Sequence, residues 1–191
     1  MHGKKDSAIL HYCDVTEEYD SAGTPGRGIY YEACGFKPDL HDYENLKLTA
    51  EIIIKRFGGK IVFLAANAPE GHCNPDWEWN GRLWDIKCPE SLNGLSKRLQ
   101  HGIEQIEENP GGIIINLLSR EFDLHNVWRT IHGRMKLSHR GYDVDVMVIM
   151  GGKVKVIYRY KKQVGSPAAA AISAVKREAR DLSCFHLNSS S

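Results

Sequence analysis

The chain has 191 residues, 42% of them apolar, which is enough to bury a substantial core in one domain with tails. Its 25 basic and 24 acidic residues leave a formal charge of +1, so any attraction for a charged partner has to come from local clustering. No run of about 18 apolar residues and no charged-then-apolar leader is present, so neither a membrane span nor a secretion signal of its own is expected.

Residues 1–41 read as an N-terminal arm, because "SAGTPGRGIYYEACGFKPD" mixes glycine, proline and tyrosine in a way that suits irregular structure. The text changes at Asp42. "DYENLKLTAEIIIKRFGG" puts Leu46, Ala50, Ile53, Ile54 and Phe57 at helical spacing, with Asp42 as a candidate cap and Gly58-Gly59 as the stop. "KIVFLAA" is a short buried strand. After the loop "NAPEGHCNP", the segments "DWEW" and "RLWDIK" flank Asn80-Gly81, the commonest signature of a type I′ turn, and predict a hairpin. Ser91 then caps a helix with Leu95, Leu99, Ile103 and Ile106 on its face, ended by Asn109-Pro110-Gly111.

"IIINLL" is a buried strand by composition. A helix over roughly 124–138 turns Trp128, Ile131 and Met135 inward. "DVDVMVIM" and "KVKVIYRY" form a second hairpin about Gly151-Gly152. Residues 163–191 read as a linker and C-terminal tail with an alanine-rich stretch. This order predicts an α/β (α+β) fold over residues 42–162: a mixed, mainly antiparallel central sheet flanked by helices.

The chemistry concentrates in "NPDWEWNGRLWDIKCP". Asp76 opens the first strand of the hairpin, while Asp85 and Lys87 lie two apart on the second and therefore share a face. Two carboxylates are the ligands Mg²⁺ or Mn²⁺ prefers, such an ion polarises a phosphodiester, and a lysine can orient water or neutralise developing charge. The same residues also suit the wet face of an ordinary hairpin. The neighbouring Trp77, Trp79 and Trp84 tilt the reading toward a site, since an acid among tryptophans is partly desolvated and needs a matching cation.

"PDWEWNGRLWDIK" resembles the PD-(D/E)xK pattern of the restriction-endonuclease-like nucleases, with Pro75-Asp76 followed by Asp85-x-Lys87. Glu44-Asn45 opening a helix, the hairpin, a helix with Gln105 near its end and "GGIIINLL" are similar to the C-terminal toxin domains of contact-dependent growth-inhibition proteins; related modules occur in bacteriophage head-morphogenesis proteins. The toxin domains often carry Asp-Cys-Tyr where this chain has Asp85-Ile86-Lys87, which brings it nearer the general nuclease pattern. The resemblance covers roughly residues 42–160. It implies a restriction-endonuclease-like fold and a metal-dependent endonuclease, an RNase toxin acting on tRNA in the cytoplasm of a target cell and delivered within a larger secreted protein. In that reading Asp76 and Asp85 hold Mg²⁺ or Mn²⁺, Lys87 positions water, Glu44 supports the site and Gln105 orients substrate, with Glu51 the other candidate for the helix acid. An acidic immunity protein is the partner expected of such a toxin.

Basic residues form two further rows. His125, Arg129, His132, Lys136 and His139 align on one side of the third helix and suit a phosphate backbone, RNA or DNA, or simply a solvated face. On a strand Lys153, Lys155, Arg159 and Lys161 share one side of "KVKVIYRYKK", interleaved with Tyr158 and Tyr160, which suits either nucleic acid or a lysine-blunted edge. Two other function classes compete with the first: a metal-independent barnase- or EndoU-like RNase using His125, His132 or His139, and a non-catalytic phage or mobile-element module that binds nucleic acid. Five cysteines with no CxxC argue against a disulfide scaffold and a zinc knuckle, and a site from His72, Cys73 and Cys88 has irregular spacing.

Overall fold

The glycine-punctuated apolar segments condense into one sheet with helices on both faces. The computed structural model describes residues 10–65, 75–106, 111–117, 122–138 and 143–162, without the side chains of Leu10, Ser138 and Lys162. The elements in chain order are β1 (Leu10–Asp14), α1 (Thr16–Ala22), β2 (Gly28–Glu32), α2 (Leu40–Phe57), β3 (Gly59–Phe63), β4 (Trp77–Trp79), β5 (Arg82–Lys87), α3 (Leu92–Gln105), β6 (Gly112–Asn116), α4 (Leu124–Ser138), β7 (Val144–Met150) and β8 (Lys153–Lys162). The eight strands lie in the order β1-β8-β7-β6-β5-β4-β3-β2. Pairs β2–β3, β5–β6 and β6–β7 run parallel, and β3–β4, β4–β5 and β7–β8 antiparallel. The sheet is mixed and flanked by helices, as the order of elements implies.

Each face of the sheet carries its own core. Leu46, Ala50, Ile53 and Phe57 of α2 pack on Ile61, Phe63, Trp77, Trp79, Trp84 and Ile114, while Leu95, Leu99 and Ile103 of α3 and Val127, Ile131 and Met135 of α4 cover Ile113, Ile115, Val146 and Val148. Strand parity decides which residues go where, because neighbours along a strand point to opposite faces. Asn116 bridges sheet to helix: its Nδ2 donates to Thr49 Oγ1 at 2.8 Å, and that hydroxyl donates to Asn45 O at 2.7 Å.

Two expectations need correction. The stretch read as an irregular arm contributes, from Leu10 onward, β1 at one edge of the sheet, β2 at the other, and α1. Edge strand β2 is mostly exposed on both faces, so it has no apolar alternation to announce it; its place comes from pairing with β3. The helix expected from Asp42 begins at Leu40, and its cap is Asp39, whose side chain accepts from Asp42 N at 2.8 Å. The expected linker and tail, 163–191, lie outside the described residues.

Asp145 of β7 shows how the α1 face is held. It is fully buried and accepts from Arg159 Nε at 2.8 Å, Arg82 Nη1 at 3.0 Å and Tyr19 Oη at 2.5 Å, tying strands β5 and β8 to helix α1. Burial alone would raise its carboxyl, but the hydrogen bonds from Arg159 and Tyr19 and the Arg82 charge hold it below the usual carboxylate range.

Two substitutions test these supports. Asn80 and Gly81 adopt φ values of 50° and 80°, as a type I′ turn requires, and a Cβ on Gly81 would meet open space. Gly81→Ala should therefore cost about 1–2 kcal/mol of unfolding free energy from backbone conformation alone, read by urea denaturation. Asp145→Ala should cost more, about 3–5 kcal/mol, because it removes the one buried acceptor that Arg82, Arg159 and Tyr19 share. An Asp145→Ala loss below that of Gly81→Ala would show that the buried cluster is not a structural tie.

Candidate active site

The two-residue turn sets the site. It pairs Trp79 with Arg82 and Trp77 with Trp84, and one further step brings Asp76 opposite Asp85. All three tryptophans therefore face α2, and Asp76, Asp85 and Lys87 face the opposite way, toward α3. The expectation that the tryptophans desolvate the acids is thus corrected. Asp85 is covered instead by α3, where Gly102 comes so near that a Cβ there would lie 2.8 Å from Asp85 Oδ2. Its neighbour on β6 is Ile113.

The three groups meet. Lys87 Nζ lies 2.8 Å from each carboxylate oxygen of Asp85, which is 1% exposed. Asp76 is half-buried, and its Oδ2 accepts from Ile86 N at 2.5 Å, so this side chain completes the hairpin ladder at the end of β5. Burial, together with the Asp76 charge, pushes the Asp85 carboxyl up to about 7 against the pull of Lys87. Asp76 is raised too, again by burial first, with Lys87 and the Ile86 N–H opposing. Two carboxyls so placed cannot both ionise cheaply.

The donor chemistry of the pair is of the kind that divalent cations prefer. Asp85 Oδ2 makes no directed hydrogen bond, although Lys87 Nζ lies 2.8 Å from it and Gly102 of α3 covers it. Hard carboxylate oxygens suit Mg²⁺ or Mn²⁺, which commonly bind through one or two carboxylates and take their remaining ligands from water and phosphate. Among the described residues no three of His, Cys, Asp and Glu come together, so two protein carboxylates are the acidic donors here. Cys88 lies beside the site, its thiol pushed up to about 11 by burial, and His72 and Cys73 lie outside the described residues.

A cavity of about 280 Å³ opens on Asp76 and Lys87 at the end of β5, with Asp85 behind them. Its α2 wall is made by Asp42, Asn45 and Leu46. Glu44, expected there, is exposed and does not line the cavity: on a helix, residues 42, 45 and 46 share a side, and 44 is turned roughly 200° from 42. Glu51 lines a separate hollow beside β2. Gln105 is half-buried at the far end of α3, about 10 Å along the axis from Arg98, the α3 residue that lines the cavity. Sequence reading missed Asp42, Asn45, Lys37 and Arg98 as lining residues; Asp42 was visible only as a cap.

The basic rows separate. His125, Arg129 and Lys136 are exposed on α4, but His132 is half-buried, bonded through Nδ1 to Tyr160 Oη at 2.6 Å and stacked on Tyr12 at 4.0 Å. Burial and the Lys136 charge lower its pKa. His139 lies outside the described residues. On β8 a bulge intervenes: Val154 pairs with Ile149 and Val156 with Val148, leaving Lys155 as the extra residue. The bulge breaks the alternation, so exposed Lys155 does not share a row with Arg159. Arg159 turns inward to Asp145 and Glu18, the latter at 2.7 Å, and is a structural cation rather than part of a phosphate-binding row.

The raised Asp85 carboxyl has a consequence for stability. Between about pH 4, where the unfolded group ionises, and pH 7, the native protein keeps a proton that the unfolded chain gives up. Stability therefore falls as pH rises through this window, by up to about 1.4 kcal/mol per pH unit from this group. Urea titrations of metal-free protein should show this fall relative to Asp85→Asn, which has no proton to lose there. Parallel profiles for the two proteins would mean that Asp85 is ionised throughout.

Comparison with known proteins finds no matching family model, no matching curated protein and no matching solved structure.

Proposed function

We propose that the chain is a metal-dependent endonuclease that hydrolyses phosphodiester bonds. The observation that carries this reading is the meeting of Asp76, Asp85 and Lys87 on one face, with Asp76 and Lys87 lining a polar cavity and Asp85 buried behind them. Asp76 and Asp85 are the residues that would hold the ion. When bound, a divalent cation polarises the phosphodiester and lowers the pKa of its bound water. Lys87, 18% exposed and reaching the cavity, is placed to donate to an oxygen on which negative charge develops.

The cavity's described lining contains no histidine, and His132 is taken up by Tyr12 and Tyr160; both facts favour the carboxylate site over histidine acid–base chemistry. RNA as substrate, tRNA in particular, and an acidic immunity protein as inhibitor extend the reading through the resemblance to toxin domains. Exposed His125, Arg129 and Lys136 on α4 offer such partners a basic surface. Among the described residues no helix is long and apolar enough to cross a membrane.

Incubation with total RNA and with plasmid DNA tests the proposal. Cleavage should require Mg²⁺ or Mn²⁺, stop with chelator, and fall at least about 100-fold in both Asp85→Asn and Lys87→Met variants that retain native melting curves. Cleavage that persists in chelator, or at full rate in Asp85→Asn, would sink it.

A further inference from the structure

The cavity beside the acid pair has walls that the hydrolytic chemistry leaves unused. Phe36, in the segment between β2 and α2, is half-buried and lines it. Ring neighbours hold it in place, with centroids at 5.6 Å for Phe63 and 6.0 Å for Tyr43. Arg98 of α3 and Lys37 also line the cavity, both exposed, and neither makes a hydrogen bond or ion pair among the described residues. An anchored aromatic ring and two uncommitted cations thus share one space with Asp76 and Asp42.

Size narrows what could enter. About 280 Å³ is close to the smallest small-ligand pockets, room for one nucleotide-sized group inside and too little for a base pair. A base held in a helix would first have to be unpaired and extruded. Single-stranded nucleic acid has bases free to stack on aromatic side chains and a backbone that follows cations.

We infer that the substrate is single-stranded where it is cut, with one unpaired nucleotide seated in this cavity, its base on Phe36 and its phosphate drawn to Arg98 and Lys37. This rests on the nuclease reading above. Phe36 and Arg98 are then the residues that set strand selectivity, separate from the acids that carry the hydrolysis.

The test measures binding with cleavage disabled. Fluorescence anisotropy of the full chain carrying Asp85→Asn compares a labelled RNA of about twelve nucleotides with the same RNA in a duplex. The single strand should bind at least about tenfold more tightly. Adding Phe36→Leu should remove most of that preference, whereas Phe36→Tyr should keep it. Arg98→Gln should weaken binding and reduce the slope of log affinity against log salt by about 0.7.

Equal or tighter duplex binding overturns the inference, as does full affinity in a folded Phe36→Leu protein. If Phe36→Leu fails to fold, Arg98→Gln decides, and an unchanged affinity and salt slope overturns it. Strand-selective binding by a wild-type protein that never cleaves removes the nuclease reading and leaves standing only the seating of an unpaired nucleotide in this cavity. Cleavage of duplex and single strand at equal rates does the reverse.

Discussion

The two-residue turn at Asn80-Gly81 is the constraint from which the candidate site follows. Because both residues take positive φ, the hairpin closes with Trp79 opposite Arg82, and every later pair is set by counting. Counting sends three tryptophans to the α2 face and two aspartates and a lysine to the other. A turn longer by one residue would shift the register and send one strand's residues to the wrong side. The large apolar cost of exposing Trp77 and Trp84, both fully buried, is what makes that slip unfavourable. The core on one face thus enforces the chemistry on the other.

Two buried aspartates in this sheet illustrate how surroundings set chemical poise. Asp145 is given two guanidinium groups and a phenol, and it stays ionised below the usual range. Asp85 is given one ammonium and a second carboxyl, and burial lifts it to about 7. The first arrangement satisfies a charge and holds elements together. The second keeps an acid under-compensated, which costs stability and is the kind of environment in which carboxyls exchange protons or metal ions near neutral pH.

Much of the framework was legible along the chain. The Asn80-Gly81 turn, the Ser91 cap, the buried run at 113–117 and the glycine turn at 151–152 all depend on residues near one another in sequence, so local propensity and alternation reveal them. Asp76, Asp85 and Lys87 could be brought together on paper for the same reason, as they belong to one hairpin. Less was legible at the edges of the sheet. Exposed β2 carries no periodic signal, and the bulge at Lys155 breaks a row of cations that a regular strand would display.

The sequence by itself determined the mixed α/β class and offered the convergence of two acids and an amine as one of two readings, because turn type and strand parity are local rules. Only the tertiary structure decided how those acids are desolvated, since the cover on Asp85 comes from Gly102, seventeen residues away on another helix. It also decided that Asp42 and Arg98, not Glu44 and Gln105, line the cavity, and that Arg159 serves Asp145. Each of these depends on how helices lie against the sheet, and that is settled by the packing of side chains distant in sequence rather than by any neighbour along the chain.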